Sequence, residues 1–245
     1  MPKISIITVV LNDKKHIERT IQSVIYQTFR DIEYIIIDGQ STDGTLDIIK
    51  KYEKQISRLI SEPDKGLYDA MNKGLRLASG EYVLFLNSGD RLFDNQTLEK
   101  IFQLPQADVY YGDAQIVDEQ GNVKGLRRLR PPENLSWKDL RRGMIVSHQA
   151  FIARRKLCPP FDLQYRYSAD YDWMIKVLKK ASNIVNTKMI IVKYLDGGLT
   201  KKNLMKSLKE RFEIMVKNYG LVPTIIRHIS FAFRLSVFYI RNRWF

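Results

Sequence analysis

The chain of 245 residues has little of several features that define common protein classes. Its single cysteine, Cys158, excludes an internal disulfide framework and fits a reducing compartment. No uninterrupted apolar run is long enough to span a bilayer. Met1 to Ile6 lead directly into a strand pattern, so we expect no signal peptide. These absences favour a cytoplasmic globular protein, and its length suits one large domain or a domain with an appendage.

Two nucleotide-binding signatures are also missing, and the chain has fewer acidic than basic residues. Neither Gly-x-Gly-x-x-Gly nor Gly-x-x-x-x-Gly-Lys-Ser/Thr occurs, so the sequence indicates neither a dinucleotide fingerprint nor a P-loop. Forty Lys and Arg residues against 27 Asp and Glu residues give a net charge of +13. Such an excess indicates a polyanionic partner, which could be nucleic acid, a phosphorylated ligand or an anionic membrane surface. No nucleic-acid-reading motif accompanies the charge, so we expect no nucleic-acid partner.

Strands and helices alternate in the first part of the chain. Apolar runs predict strands at 3–11, 31–37, 58–61 and 82–86, and helical spacing predicts a helix after each of the first three. This alternation indicates a parallel sheet with right-handed crossovers. The polar loops that follow the strands, at Asn12, Asp38, Glu62 to Lys65 and Asn87 to Asp90, should then gather along one edge. In α/β sheets that edge binds ligands.

The fourth strand and its loop carry the clearest candidate for chemistry. Five apolar or aromatic residues, Tyr82 to Leu86, are typical of a strand buried on both faces, and Asn87-Ser88-Gly89-Asp90 follows. A carboxylate such as Asp90 at this position can hold a divalent metal that in turn holds a diphosphate. Asp also caps and turns chains. Both interpretations remain open from this stretch alone.

The second part of the chain has a different pattern. Short strands and turns are expected from 108 to 123, a basic loop over 124–142, a strand over 149–153, a helix opening in 167–173 and a strand over 184–195. A helix over 203–219 should carry one apolar face, formed by Leu204, Leu208, Phe212, Met215 and Val216. The last helix starts at Pro223 and places Arg227, Arg234 and Arg241 on one stripe. That stripe opposite an apolar face fits a helix in the headgroup layer of a membrane, and the alternatives are a packed terminal helix or a dimer contact.

Six segments in order resemble a known family: Ser5–Asn12, Ser23–Phe29, Ile37–Thr45, Glu62–Gly74, Ala78–Tyr82 and Leu86–Asp90. They are similar to the bacterial inverting glycosyltransferases of family two, in the variant that builds capsule, exopolysaccharide or lipopolysaccharide. The resemblance implies an α/β protein with the GT-A (Rossmann-like) fold, a mostly parallel sheet flanked by helices, and a C-terminal helical membrane-associating extension. The expected GT-A domain is 1–200, with a nucleotide-sugar-binding half at 1–105 and an acceptor-binding half at 106–200. Amphipathic helices are expected over 201–245.

The resemblance also implies which residues bind the donor. They are Thr8, Val9, Asp38, Lys65, Asp69, Asn72, Asn87 and Ser88. Asp90 should reach a divalent metal, Mn²⁺ or Mg²⁺, and Asn87 and Gly89 stand where the family has acidic residues. From the residues alone, Asp38 equally fits a turn before Gly39, and Tyr68, Asp69 and Asn72 equally fit a helix surface.

The catalytic base of the family matches Asp170, with Ala169 in the place of a glutamate. Asp172 is the second candidate for the base, and a helix N-cap is the alternative role for Asp170. His148, in Ser147-His148-Gln149 at the head of a strand, is interpreted as a hydrogen-bonded structural residue with a minor chance of contacting the acceptor or the metal.

The implied reaction transfers a sugar from a nucleotide-diphosphate sugar, with UDP taken from the family, to a lipid-linked or saccharide acceptor. The enzyme would lie peripherally on the inner face of the cell membrane, as a monomer or a homo-oligomer. A catalytically silent sugar-nucleotide-binding protein of the same fold is the alternative. A processive membrane synthase is not indicated. Such enzymes carry a Gln-x-x-Arg-Trp element, and here Ile240 stands in the position of the Gln, three residues before Arg243-Trp244. The sequence also indicates no transmembrane bundle.

Overall fold

A computed structural model describes residues 1–197 and 203–229. Its first four strands are parallel: β1 (Ile4–Val10), β2 (Ile32–Asp38), β3 (Arg58–Ser61) and β4 (Tyr82–Phe85), in the order β3-β2-β1-β4. Helices α1 (Ile17–Ile25), α2 (Thr45–Lys50) and α3 (Leu67–Leu77) connect them. The predicted alternation and parallel pairing of the first part are therefore confirmed.

The remaining strands extend the same sheet with mixed pairing. They are β5 (Arg91–Leu92), β6 (Val109–Val117), β7 (Val123–Leu126), β8 (Phe151–Arg154) and β9 (Ile184–Leu195). Strand β8 runs antiparallel to β4 and β6, β9 runs parallel to β6, and β5 and β7 pair antiparallel with β9 and β6. The other α-helices of the described residues are α4 (Thr97–Phe102), α5 (Ala169–Lys180) and α6 (Leu204–Tyr219), and residues 221–229 are also helical.

The sheet carries a hydrophobic core on each face. Alternate residues of β1 enter the two cores, with Ile7 and Val9 on one side and Ile4, Ile6 and Val10 on the other. Helices α3 and α5 cover the first side, and α1 and α4 cover the second. On the first side Trp173 of α5 stacks on Phe161, with ring centroids 5.1 Å apart, and meets Phe85 of β4 edge-on. The strand and the helix that carry the candidate site are thus packed against each other.

One prediction about the second part of the chain is wrong in detail. The basic stretch 124–142 is not entirely loop, because β7 occupies part of it and Trp137–Arg142 form a 3-10 helix. A tight turn at Gly121 (φ +92°) allows β7 to fold back on β6.

The predicted helix over 203–219 is confirmed as α6, and its apolar face is only partly buried. Its buried residues are Ser207, Ile214 and Met215, whereas Leu204 is 57% exposed. Ile214 and Met215 join the core on the side of α5, and the hydroxyls of Ser207 and Ser168 hydrogen-bond at 2.8 Å. The side of α6 that bears these three residues is therefore the side that packs against the rest of the protein.

Within the described residues, no helix has the length and apolarity needed to cross a membrane. Arg234 and Arg241 of the predicted terminal stripe lie outside the described residues.

Gly74 generates a prediction about how α3 is seated. A Cβ at this position would lie 2.3 Å from Ile7 Cγ2 in the buried β1 strand. We expect Gly74→Val to lower the free energy of unfolding by about 2–3 kcal/mol, since overpacking forces backbone shifts. Arg76→Val on the exposed side of the same helix should cost less than about 0.5 kcal/mol. Urea unfolding of both variants checks this, and equal losses would contradict the close contact.

Candidate active site

The loops after β1, β2, β3 and β4 meet at one edge of the sheet, as predicted. The Ser88 hydroxyl donates to Asp13 Oδ2 at 2.7 Å, and the Ser88 N–H donates to the Val9 carbonyl at 3.2 Å. The Ser61 hydroxyl donates to Asp38 Oδ2 at 2.6 Å. These contacts join the four carboxyl ends into one surface, which is where α/β sheets bind ligands.

Asp38 ends β2 and is fully buried. Its Oδ2 accepts hydrogen bonds from the Ser61 hydroxyl and the Ser41 N–H (3.1 Å), whereas its buried Oδ1 has no hydrogen-bond partner. A buried carboxylate oxygen without a donor is costly, on the order of 1–3 kcal/mol or more. A ligand N–H or hydroxyl would satisfy that oxygen.

Three of the predicted donor-binding residues are engaged by the protein itself. The Thr8 side chain is buried and hydrogen-bonds the Tyr34 hydroxyl at 3.1 Å, and the Val9 carbonyl accepts from Ser88. Asn72 pairs with the Phe161 backbone, donating to the carbonyl at 2.9 Å and accepting from the N–H at 2.7 Å. Asn72 therefore anchors the segment that precedes α5 to helix α3. Its predicted contact with the donor stays a prediction.

Lys65 and Asp69 lie at the start of α3. The Lys65 N–H donates to Asp69 Oδ2 at 3.0 Å, and the exposed Lys65 ammonium makes no ion pair with a carboxylate of the described residues. The nearby Lys73 ammonium instead pairs with Asp64 at 2.7 Å and Glu62 at 2.9 Å. Lys65 is thus the cationic side chain of this loop that is available to bind an anionic ligand.

The Asn87–Asp90 loop fits a divalent ion poorly. Asp90 is 4% exposed, its Oδ1 accepts from the Leu195 N–H at 3.0 Å, and its Oδ2 accepts from the Gln149 amide at 2.8 Å. Within residues 1–197 and 203–229, no three His, Cys, Asp or Glu side chains are grouped to hold a metal. The oxygen of this loop that has no hydrogen-bond partner is the buried Asn87 Oδ1. The role of Asp90 as a metal ligand stays a prediction.

Asp170 lies at the start of α5, but Ser168 rather than Asp170 is the N-cap residue of that helix. Its Oδ1 accepts from the Tyr68 hydroxyl at 3.0 Å and from the Tyr171 N–H at 2.9 Å, and its Oδ2 lies 2.8 Å from His148 Nδ1. The other nitrogen of that imidazole, Nε2, lies 3.3 Å from Asn87 Nδ2. A continuous chain of hydrogen bonds therefore links α3, α5 and the loop after β4.

The electrostatics of this cluster favour an ionised Asp170. Burial raises the pKa of this carboxyl, but the hydrogen bond and charge of His148, the Arg211 guanidinium and the Tyr68 hydroxyl hold it below its usual value. Burial and the neighbouring Asp170 charge raise the pKa of Tyr68 well above its ordinary value, so the phenol remains a neutral donor.

Asp172, the second candidate for the base, points elsewhere. It is 1% exposed and forms an ion pair with Lys176, one turn along α5, at 2.5 Å. It therefore does not join the hydrogen-bonded cluster around Asp170.

Gln149 belongs to the site although sequence reasoning assigned it no role there, and Tyr68, which equally fitted a helix surface, is buried and contacts Asp170. Gln149 holds Asp90, and the adjacent His148 holds Asp170, so both halves of the sheet meet at Ser147-His148-Gln149. Three polar residues directly before the buried strand β8 were the available signal. Their partners lie 59 and 22 positions away in the chain, and only folding brings them together.

Residues 5–158 match the family described as Glycosyl transferase family 2. The chain is 30% identical over 242 residues to the PGL/p-HBAD biosynthesis glycosyltransferase of Mycobacterium bovis, covering 92% of this chain and 90% of that protein. It is 25% identical over 217 residues to the Escherichia coli UDP-Glc:alpha-D-GlcNAc-diphosphoundecaprenol beta-1,3-glucosyltransferase WfgD, covering 86% and 85%. Staphylococcus aureus TarS 1-349 in complex with UDP-GlcNAc has the same fold, with a TM-score of 0.68 and 20% identity over 94% of this chain and 73% of that chain.

Asp90 generates a prediction about the pH dependence of stability. Burial raises its pKa from 3.8 to about 6, although hydrogen bonds from Leu195 and Gln149 lower it. Between these values the folded protein keeps a proton that the unfolded chain releases, so the contribution of Asp90 to stability falls as the pH rises. We expect the free energy of unfolding of the wild type, relative to Asp90→Asn, to fall by about 2 kcal/mol between pH 4.5 and 7.5.

Denaturant unfolding of both proteins in EDTA-containing buffer measures this difference. Asp31→Asn, at the exposed opposite end of β2, is the control for replacing a carboxylate on this strand. A constant difference between the wild type and Asp90→Asn would show that Asp90 titrates as an ordinary carboxyl.

Proposed function

Because the chain belongs to glycosyl transferase family 2, we propose that it transfers a sugar, with inversion, from a UDP-sugar to a lipid-linked or saccharide acceptor. The setting would be the synthesis of a bacterial surface polysaccharide or glycolipid. One observation carries the proposal. Asp38, with an unpartnered oxygen, ends strand β2, and the hydrogen-bonded pair of Asp170 and His148 contacts the loop that follows the neighbouring strand β4 through Asn87.

Each part of that edge has a task in the proposed reaction. Asp38 Oδ1 accepts a hydrogen bond from the base or ribose of the nucleotide, and Asn87 Oδ1 accepts one from a hydroxyl of the donor sugar. The free ammonium of Lys65 offsets the charge on the leaving diphosphate. The pair of Asp170 and His148 takes the proton of the attacking hydroxyl.

The relatives support the choice of donor and acceptor. A TarS structure contains UDP-GlcNAc, and the name of WfgD specifies a UDP-glucose donor and a diphosphoundecaprenol-linked acceptor. We extend the coarser features, a UDP-sugar and a lipid-linked or saccharide acceptor, to this chain.

The alternative of a silent sugar-nucleotide-binding protein is favoured by one observation, which is that both Asp90 oxygens are already hydrogen-bonded by the protein.

The C-terminal helices supply a surface for the membrane. Helix 221–229 exposes Leu221, Val222, Ile225, Ile226 and Ile229, and the N-terminal turns of α6 expose Leu204, Met205 and Leu208. Apolar side chains on a chain of net charge +13 fit the headgroup layer of an anionic bilayer. We therefore place the enzyme peripherally on the inner face of the cell membrane, next to a lipid-linked acceptor.

Nucleotide release from a panel of UDP-, GDP- and dTDP-sugars tests the function. Each donor is assayed with lipid extract as the acceptor and with Mn²⁺, Mg²⁺ or EDTA, since a divalent ion stays a predicted cofactor. We expect release from UDP-sugars together with a glycosylated lipid product. Binding of UDP without turnover of any donor would favour the silent binder, and absence of both would contradict a nucleotide site at this edge.

Asp38→Asn is the matching prediction for the nucleotide. The amide replaces one carboxylate oxygen by a donor, so we expect UDP to bind about tenfold to a hundredfold more weakly, as for a lost charge-assisted hydrogen bond of about 1.5–3 kcal/mol. Asp31→Asn at the other end of β2 is the control. Calorimetry with UDP measures both, and equal affinities would remove Asp38 from the donor site.

Vesicle association is the prediction for the C-terminal helices. The wild type should cosediment with phosphatidylglycerol vesicles more than with phosphatidylcholine vesicles, and less at high salt. Ile226→Glu with Ile229→Glu should weaken binding at least tenfold, because each buried isoleucine contributes about 1.5–3 kcal/mol. Val123→Glu, an exposed site on β7, is the control. Unchanged vesicle binding together with a loss of dimer on a sizing column would assign the surface to a homo-oligomer.

A further inference from the structure

Two arginines from distant parts of the chain lie near the Asp170 carboxylate. Arg127 directly follows β7, and Arg211 belongs to α6. Both residues are partly buried. The two guanidinium charges act on each other, and each acts on Asp170. Two like charges that have lost part of their hydration destabilise the fold unless an opposite charge offsets them.

Contacts between α6 and the start of α5 fix the position of Arg211. The Ser207 hydroxyl hydrogen-bonds the Ser168 hydroxyl at 2.8 Å. The Glu210 carboxylate accepts the backbone N–H groups of residues 166 and 167, both at 2.8 Å. Ser207 precedes Arg211 by four positions, which is the spacing of one helix face. Arg211 therefore lies on the side of α6 that meets the first turn of α5.

Neither arginine has a counter-charge of its own. Within residues 1–197 and 203–229, neither guanidinium forms an ion pair, and the buried Nε of Arg211 has no hydrogen-bond partner. Arg127 donates to the carbonyl of Met144 at 2.7 Å, and a carbonyl carries no net charge. Asp113 also acts on Arg127, but its carboxylate already accepts from Arg130 at 2.9 Å.

One carboxylate, that of Asp170, is left to offset two guanidinium groups. It is also hydrogen-bonded to His148 at 2.8 Å and to Tyr68 at 3.0 Å, so other donors share its charge. A guanidinium presents its N–H groups as a planar fork that matches the oxygens of a phosphate. A phosphate group would satisfy the free Nε of Arg211 and supply the missing negative charge.

The two arginines come from the part of the chain that does not carry the candidate donor residues. Asp38 and Lys65 follow the parallel strands β2 and β3, and Lys65 already provides a cation for the leaving diphosphate. Arg127 follows a strand of the mixed second part of the sheet, and Arg211 lies on a C-terminal helix. This placement favours the acceptor over the donor as the source of the phosphate.

An exposed apolar surface adjoins Arg211. Leu204 and Leu208 are 57% and 43% exposed, and they precede Arg211 by seven and three positions. These spacings place the three side chains on neighbouring lines of the helix surface. A hydrocarbon chain that lies against the leucines would therefore have its charged head at the arginine.

We propose that Arg127 and Arg211 bind the diphosphate of a lipid-linked acceptor and so hold the acceptor sugar next to Asp170. This inference rests on the proposed function, because it names the acceptor class for the same site. The arginines take part in no covalent step. The acceptor diphosphate stays intact, and its negative charge completes the pair of guanidinium groups.

Binding of geranyl diphosphate to protein saturated with UDP tests the site, because UDP then occupies the donor position. Calorimetry compares this probe with uncharged geraniol. We expect the wild type to bind the diphosphate at least about tenfold more tightly than the alcohol, and Arg127→Gln and Arg211→Gln each to weaken diphosphate binding by about tenfold or more. Equal binding of the two probes by the wild type would overturn the proposal.

Arg128→Gln and Lys209→Gln are the matched controls, since each removes an exposed cation close in sequence to one of the arginines. Both should bind the diphosphate as the wild type does. Arg127→Lys and Arg211→Lys keep the charge but lose the fork, so we expect affinities between those of the wild type and the glutamine variants. Equal losses in the control and arginine variants would show non-specific attraction to a basic protein and would overturn the site.

The affinity for UDP alone separates the two sources of a diphosphate. We expect Arg127→Gln and Arg211→Gln to bind UDP as the wild type does. Weaker UDP binding with unchanged geranyl diphosphate binding would assign the arginines to the donor and overturn the acceptor site. A wild type that binds no UDP contradicts the proposed function itself, whereas a wild type that binds UDP but does not distinguish geranyl diphosphate from geraniol contradicts only this inference.

Discussion

The rest of the candidate site depends on one buried carboxylate, that of Asp170. A charge that is almost fully removed from water must be paired and hydrogen-bonded, or it destabilises the fold. Here the donors come from α3 through Tyr68, from α5 itself through Tyr171, and from the segment before β8 through His148. The need to satisfy one group therefore fixes the relative positions of three elements that are far apart in the chain.

A second buried carboxylate, Asp90, acts in the same way on the other side of His148. Gln149 and the backbone of Leu195 hold it, so the loop after β4 is tied both to the segment before β8 and to the end of β9. Neighbouring residues, His148 and Gln149, thus each bind one carboxylate. This arrangement joins the parallel first part of the sheet to the mixed second part at the edge where we propose that donor and acceptor meet.

The first part of the fold was predictable because its signals are local. Apolar runs such as Tyr82 to Leu86 are long, and alternating strands and helices leave few topologies open. The family resemblance and the GT-A fold were confirmed on the same residues. The buried side of α6 could not be predicted, because Ser207, Ile214 and Met215 meet partners that are distant in the chain. Thr8 and Asn72 illustrate the same limit, since their polar atoms are engaged by Tyr34 and by the Phe161 backbone.

The sequence by itself therefore determined the order of the elements, the family, and the edge of the sheet where polar residues gather. These follow from apolar periodicity and from contiguous motifs, which act over a few residues. Only the tertiary structure decided which atoms remain available for chemistry: Asp38 Oδ1 and Asn87 Oδ1 without partners, Asp90 and Asp170 with their oxygens occupied, and His148 with one nitrogen turned towards Asn87. The physical reason is that a side chain's hydrogen-bonding capacity is used by whichever partners folding brings near it, and those partners are distant in the chain.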